Sequence, residues 1–213
     1  MKPKTTLLIA AIAVLVSGCL VKSLHPFYKE NDVVFDPAIV GTWLDNDSSK
    51  WVIEQSEMKK FLGESKPQNS YKISYYEKNE ASVFETHLFK LNNQLYVDFI
   101  PSGVSVPELT GYHLVPTHSI AKVSITNGEI NLKWFNETWL ASLFEKNKIR
   151  ISHETLPDEN GDDTYVLTAS TEELQKFIIK YGNDPAAFKD NSDKEKPLDQ
   201  REDIMCVTLK RIN

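Results

Sequence analysis

From Ile39 onward, apolar and polar positions alternate in short runs. Lys50 to Glu54, Tyr71 to Tyr76, Ser82 to Leu91, Gln94 to Ile100, Ser119 to Thr126 and Glu129 to Phe135 are rich in β-branched and aromatic residues. That is the composition of strands. In Ser82–Leu91 the period of two puts Val83, Glu85, His87, Phe89 and Leu91 on one face. Phe84, Thr86, Leu88 and Lys90 take the other, so both faces are about equally apolar and the pattern leaves the inward one open. Asn92-Asn93 and Asn127-Gly128 stand between paired runs and predict hairpin turns, because Asn and Gly tolerate positive φ. Successive hairpins predict a mainly β fold, an antiparallel meander closing into a barrel or a strongly curved sheet.

Two short helices are expected within this β framework. Asn136 caps a helix from Glu137 to Lys146, with Trp139, Leu140, Leu143 and Phe144 on one side. Ser170 or Thr171 starts a second, whose Leu174, Phe177, Ile178 and Tyr181 make an apolar stripe and which Gly182 stops. The charged stretch 189–203 reads as a solvated loop, and Ile204 to Ile212 as a closing strand. No second domain boundary or internal repeat interrupts 37–213, which reads as one domain. Residues 19–36, with Pro26, Asn31 and Asp32, read as a tether leading into it.

The 213 residues, 41% hydrophobic and 25% charged, suit one domain with a real core. Thirty acidic against 24 basic side chains argue against a nucleic-acid partner, which calls for a basic face. Two cysteines exclude a disulfide scaffold.

Lys2 and Lys4 precede an apolar run from Leu7 to Val16. This is the size of a signal-peptide core and short of the roughly 20 residues that span a bilayer. The run ends in Val16-Ser17-Gly18-Cys19, which resembles the lipobox of bacterial lipoproteins. The resemblance implies removal of residues 1–18, thioether lipidation of Cys19 and acylation of the new amino terminus. Leu20 rather than Asp after that cysteine implies an outer-membrane address in a Gram-negative cell. Several acyl chains together make such anchoring stable. With Cys19 lipidated no intramolecular disulfide is expected, and Cys206, set in a strand, is expected to be buried and inert.

Ile39-Val40-Gly41-Thr42-Trp43 resembles the Gly-x-Trp opening of lipocalins and fatty-acid-binding proteins, the calycin barrels. The resemblance implies that Gly41 turns the chain into its first strand and that Trp43 closes one end of the barrel. A basic side chain from late in the chain then packs over the indole. Arg211 and Lys210 are the candidates on the last strand, with Arg150 a third. The order of elements, a meander, a late helix and one closing strand, is similar as well.

Signatures of catalysis are missing: there is no Gly-x-Ser-x-Gly elbow, His-Glu-x-x-His helix, phosphate loop or dinucleotide fingerprint. His113 and His118 flank Pro116 at a spacing that matches no metal pattern. The acidic turn 158–163 lacks the Glu an EF-hand requires. No catalytic residue, metal or cofactor is therefore expected. The candidate ligand-binding residues are Glu85 and His87, which share one strand face, and Tyr96 and Asp98, which share one on the next. Turned into a barrel, they would orient the head group of a ligand. The loop Pro101 to Tyr112 is long enough to form a rim or lid. The expectation is a non-enzymatic, lipid-anchored envelope protein binding a small apolar or amphipathic ligand in its barrel. The alternative is a side-chain-filled barrel serving as an envelope interaction module.

Overall fold

Strands joined by tight turns pair with their neighbours in sequence, and the edge strands left over must be covered or joined. Here they are joined. A computed structural model describes residues 20–59, 65–77, 80–126, 128–157, 161, 163–188 and 206–212. Its strands are β1 (Lys22–Ser23), β2 (Gly41–Leu44), β3 (Lys50–Lys59), β4 (Ser65–Glu77), β5 (Glu80–Leu91), β6 (Gln94–Pro101), β7 (Ser119–Thr126), β8 (Glu129–Trp134), β9 (His153–Pro157), β10 (Asp163–Leu167) and β11 (Cys206–Arg211). Among the described residues three short α-helices complete it: α1 (Glu108–Gly111), α2 (Glu137–Glu145) and α3 (Thr171–Tyr181).

Strands β2 to β8 form an antiparallel meander, and β11 pairs with both β8 and β2 to close an eight-stranded barrel. The fold is therefore mainly β, with a closed barrel rather than an open curved sheet. Asn92 and Asn93 both have positive φ (47° and 60°), as a two-residue hairpin requires. The helices begin on their expected caps. Asn136 accepts from the Trp139 N–H, and Ser170 and Glu173 form a reciprocal capping box. The third helix, α1, is a single turn inside the loop that reads as a rim, too short to show a helical period.

All eight strands contribute to one interior cluster, which includes Trp43, Ile53, Ile73, Leu88, Val97, Ala121, Leu132 and Leu209. A second cluster lies outside the barrel. Between β8 and β11 the chain makes an excursion through α2, β9, β10 and α3. Its Leu140, Leu167, Leu174 and Ile178 pack with Phe89, Tyr96 and Ile120 from the outer face of β5 to β7. This explains why Ser82–Leu91 is apolar on both sides, since one face lines the barrel and the other lies under a second layer.

Residues 20–36, read as a tether, are packed against the barrel, partly in that second layer and partly, through Leu20, Val34 and Phe35, on the interior cluster. Val21 and Phe27 are buried, and β1 pairs in parallel with β10. Cys19, the leader, the charged stretch 189–203 and most of the acidic turn lie outside the described residues.

Candidate functional site

The inward face of β5 is Phe84, Thr86 and Leu88, because Leu88 stands opposite Val97 and joins the interior cluster. Glu85 and His87 consequently face outward, as do Tyr96 and Asp98, which stand opposite Phe89 and His87. The structure turns all four to the outside of the barrel, with His87, Tyr96 and Asp98 beneath the second layer and Glu85 beside β3 and β4. There they act as fasteners. Asp98, fully buried, accepts the Phe27 N–H at 2.9 Å and contacts His118 Nδ1 at 2.7 Å. His87 stacks on Tyr28 with ring centroids 4.2 Å apart, and its Nε2 lies 3.3 Å from the Tyr28 hydroxyl. Burial holds the His87 imidazole below its ordinary value, against the pull of Glu85 and Asp98. Burial pushes the Tyr28 and Tyr96 hydroxyls up to about 12, helped at Tyr28 by the charge on Asp98. Glu85 accepts from Ser56 and Ser70 at 3.1 and 2.6 Å. Asp98 and His87 thus hold the 20–36 segment against the barrel wall, while Glu85 ties its own strand to β3 and β4.

The barrel interior is filled at one end and hollow at the other. At the filled end Trp43 is buried and donates its indole N–H to the Ile39 carbonyl at 2.9 Å. Arg211 covers it, with its guanidinium carbon 4.6 Å from the ring centroid and its Nη2 donating to the carbonyls of Ala38 and Val40. Lys210 instead lies 3.8 Å from Glu129, and Arg150 lines an outer groove beside α3, so Arg211 is the covering cation. Gly41 has φ +150°, and a Cβ there would stand 3.0 Å from Arg211 Nη1. A residue without a side chain is what the turn and the guanidinium together require.

At the other end a cavity of about 350 Å³ opens between Trp51, Tyr75, Phe84, Phe99 and Trp134. The aromatics brace one another: Trp51 on Tyr75 at 4.9 Å, Phe84 edge-on to Phe99 at 5.9 Å, Phe99 on Trp134 at 4.6 Å. Ser119 and Val207 complete the wall, and Leu20, Asp45, Asn46, Asp47 and Glu77 form the rim. Asp45 is committed locally, accepting from the Trp51 indole N–H at 3.0 Å and from the Ser49 N–H at 2.8 Å. Burial raises the Tyr75 hydroxyl above its ordinary value, so it stays a neutral donor. An apolar body fits among the rings, and a hydrogen-bonding or cationic head fits at the carboxylate rim.

Sequence reasoning did not single out these cavity residues. Their signal was aromatics at inward positions near the ends of strands, but lining and filling aromatics look alike along the chain. Among the described residues no group of His, Cys, Asp and Glu is placed to hold a metal ion, and no helix is long and apolar enough to cross a membrane. Cys206 is buried on β11, beside the cavity. Comparison with known protein families, curated proteins and solved structures finds no match for this chain.

Proposed function

We propose that this is a lipid-anchored envelope protein, lipocalin-like in its barrel, that binds a small apolar or amphipathic molecule without chemically changing it. The aromatic cavity at one end of the barrel carries the reading. At about 350 Å³ it is within the range of small-molecule sites, and five ring systems converge on it. The lipocalin-like character rests on the Gly41, Trp43 and Arg211 constellation within a meander barrel. The anchor rests on the Val16-Ser17-Gly18-Cys19 motif, with an outer-membrane location following from Leu20 if the cell is Gram-negative.

The ligand test is mass measurement under non-denaturing conditions on the protein drawn from a bacterial envelope. A reproducible added mass that denaturation releases supports the reading and reports the ligand class. A bare mass, with no change in tryptophan emission on adding a panel of fatty acids, would move the assignment to the interaction module. The anchor is tested separately. Cys19→Ala is expected to abolish incorporation of a fatty-acid label, and undiminished labelling would refute the lipoprotein reading.

A further inference from the structure

The loop between β6 and β7 is unlike the rest of the surface. Residues 101–116 are all exposed, and the stretch 102–118 holds no lysine or arginine and one carboxylate, Glu108. Along it Val104, Val106, Leu109, Tyr112, Leu114 and Val115 stand in solvent, with Leu109, Tyr112 and Val115 exposed by 73, 75 and 72%. A run of large apolar side chains this exposed marks a contact surface. Its mixture of aliphatics with one tyrosine suits the boundary between lipid headgroups and acyl chains.

Two relationships say what covers it. The loop springs from the hollow end of the barrel, because Phe99 on β6 and Ser119 on β7 both line the cavity. The amino-terminal segment is tied to the loop's foot, since Ser23 and His118 exchange backbone hydrogen bonds of 2.9 and 2.8 Å. Leu20, three residues earlier, sits on the cavity rim. One peptide bond joins Leu20 to Cys19, a Cα step of about 3.8 Å. A lipid on Cys19 would therefore enter the bilayer at the same end as the loop and the cavity mouth.

We infer that the β6–β7 loop docks on the bilayer surface, seating Leu109, Tyr112 and Val115 among the headgroups and turning the cavity mouth towards the membrane. The choice of a bilayer as the occupant rests on the proposed lipid at Cys19. Contact is apolar rather than electrostatic, since the loop holds no lysine or arginine and the rim carries Asp47 and Glu77. Cavity and membrane then form one apolar path, so a lipid-derived ligand need not cross water to enter.

The test uses the full chain with Leu109→Cys, and separately Ser124→Cys, an exposed position at the far end of the same β7 strand. A membrane-impermeant maleimide is applied to native membranes, and to purified chain reconstituted in vesicles of phosphatidylethanolamine and phosphatidylglycerol. Labelling is read on the individual peptides. Position 109 is expected to react about tenfold or more slowly than position 124 in both settings, because a thiol held out of water does not form thiolate. Equal rates in both would place the loop in water and overturn the proposal. Protection in native membranes alone would assign the loop to a protein partner and overturn it too. The mass of the Cys19 peptide, taken from the same membranes, separates the two readings. An unlipidated Cys19 with a protected loop overturns the anchor alone, and a lipidated Cys19 with a reactive loop overturns the docking alone.

Discussion

Arg211 lies over Trp43 across the line where β11 closes on β2, its guanidinium carbon 4.6 Å from the indole centroid. The same side chain donates to the carbonyls of Ala38 and Val40, so one residue ties the turn into β2 to the end of β11. Arg211→Ala is expected to destabilise the protein by about 1–2 kcal/mol, combining an exposed cation–π contact with charge-assisted hydrogen bonds. Arg211→Lys should recover only part of this, because an ammonium cannot bridge two carbonyls and stack at once. Urea unfolding of the three proteins measures it, and equal midpoints would show the contact to be idle.

Gly41→Ala strains the same corner from the other side. With φ +150° and Arg211 Nη1 3.0 Å from the new Cβ, a loss of about 1–3 kcal/mol is expected. The effect should shrink in an Arg211→Ala background, where the steric part is gone. Unfolding midpoints around this double-mutant cycle give the coupling, and strict additivity would mean the backbone conformation alone is at stake.

Asp98 pins the amino-terminal segment to the barrel wall. Asp98→Ala leaves the Phe27 N–H and the His118 ring facing a buried gap, at an expected cost of about 3 kcal/mol or more. Asp98→Asn keeps an acceptor for Phe27 and should cost less. Limited proteolysis should cut the Asp98→Ala variant early within residues 20–36, while the barrel strands stay protected.

The groups beneath the second layer make stability depend on pH at both extremes. His87 is held below 6.5 when folded, so the unfolded chain takes up its proton first. That contribution is complete above pH 6.5 and is lost as pH falls through the folded value. His87→Phe, which keeps a ring against Tyr28, should flatten the acid side of the stability curve. Tyr96, pushed up from 10 to about 12, acts in the opposite sense: its contribution is complete below pH 10 and lost towards 12. Tyr96→Phe keeps the contacts with Phe89 and Phe188 and should lessen the alkaline loss. Urea midpoints at about pH 5, 7.5 and 11 check all three proteins.

Filling the cavity should separate binding from folding. Ser119 borders the hollow, so Ser119→Trp is expected to place its ring in open space and leave the unfolding free energy within about 1 kcal/mol of the parent. Ligand retention, read as the added mass, should fall about tenfold or more. Trp51 and Trp134 face the same space, so their emission should respond to ligand in the parent and not in the variant.

Much of the barrel is legible along the chain. Ser119–Thr126 and the helix Thr171–Tyr181 begin and end where alternation and capping place them, and Trp43 meets the basic residue expected on the last strand. The candidate ligand residues show where such reading stops. Glu85 and His87 share a face with Phe89, but Phe84 and Leu88 on the opposite face are no less apolar, so periodicity has no preferred answer. Residues 20–36 posed a similar problem. Pro26, Asn31 and Asp32 look like a linker, while the apolar residues that pack it, among them Val21, Phe27 and Phe35, follow no helical or strand period.

Local chemistry, read from the residues themselves, was not sufficient for β1 and β9 outside the barrel, but it was for most barrel strands, the Asn92-Asn93 turn, the helix caps and the Gly-x-Trp corner. Each of these depends on φ, on hydrogen bonds a few residues away, or on a period of two. Closure of β11 onto β2 settled what lies beyond that reach. It chose Leu88 over His87 for the interior, turned Asp98 from a ligand contact into a fastener, and left Trp51, Phe99 and Trp134 around a hollow. Which face points inward, and whether rings from distant strands meet or leave space, depends on the summed register and curvature of eight strands. No single segment carries that information.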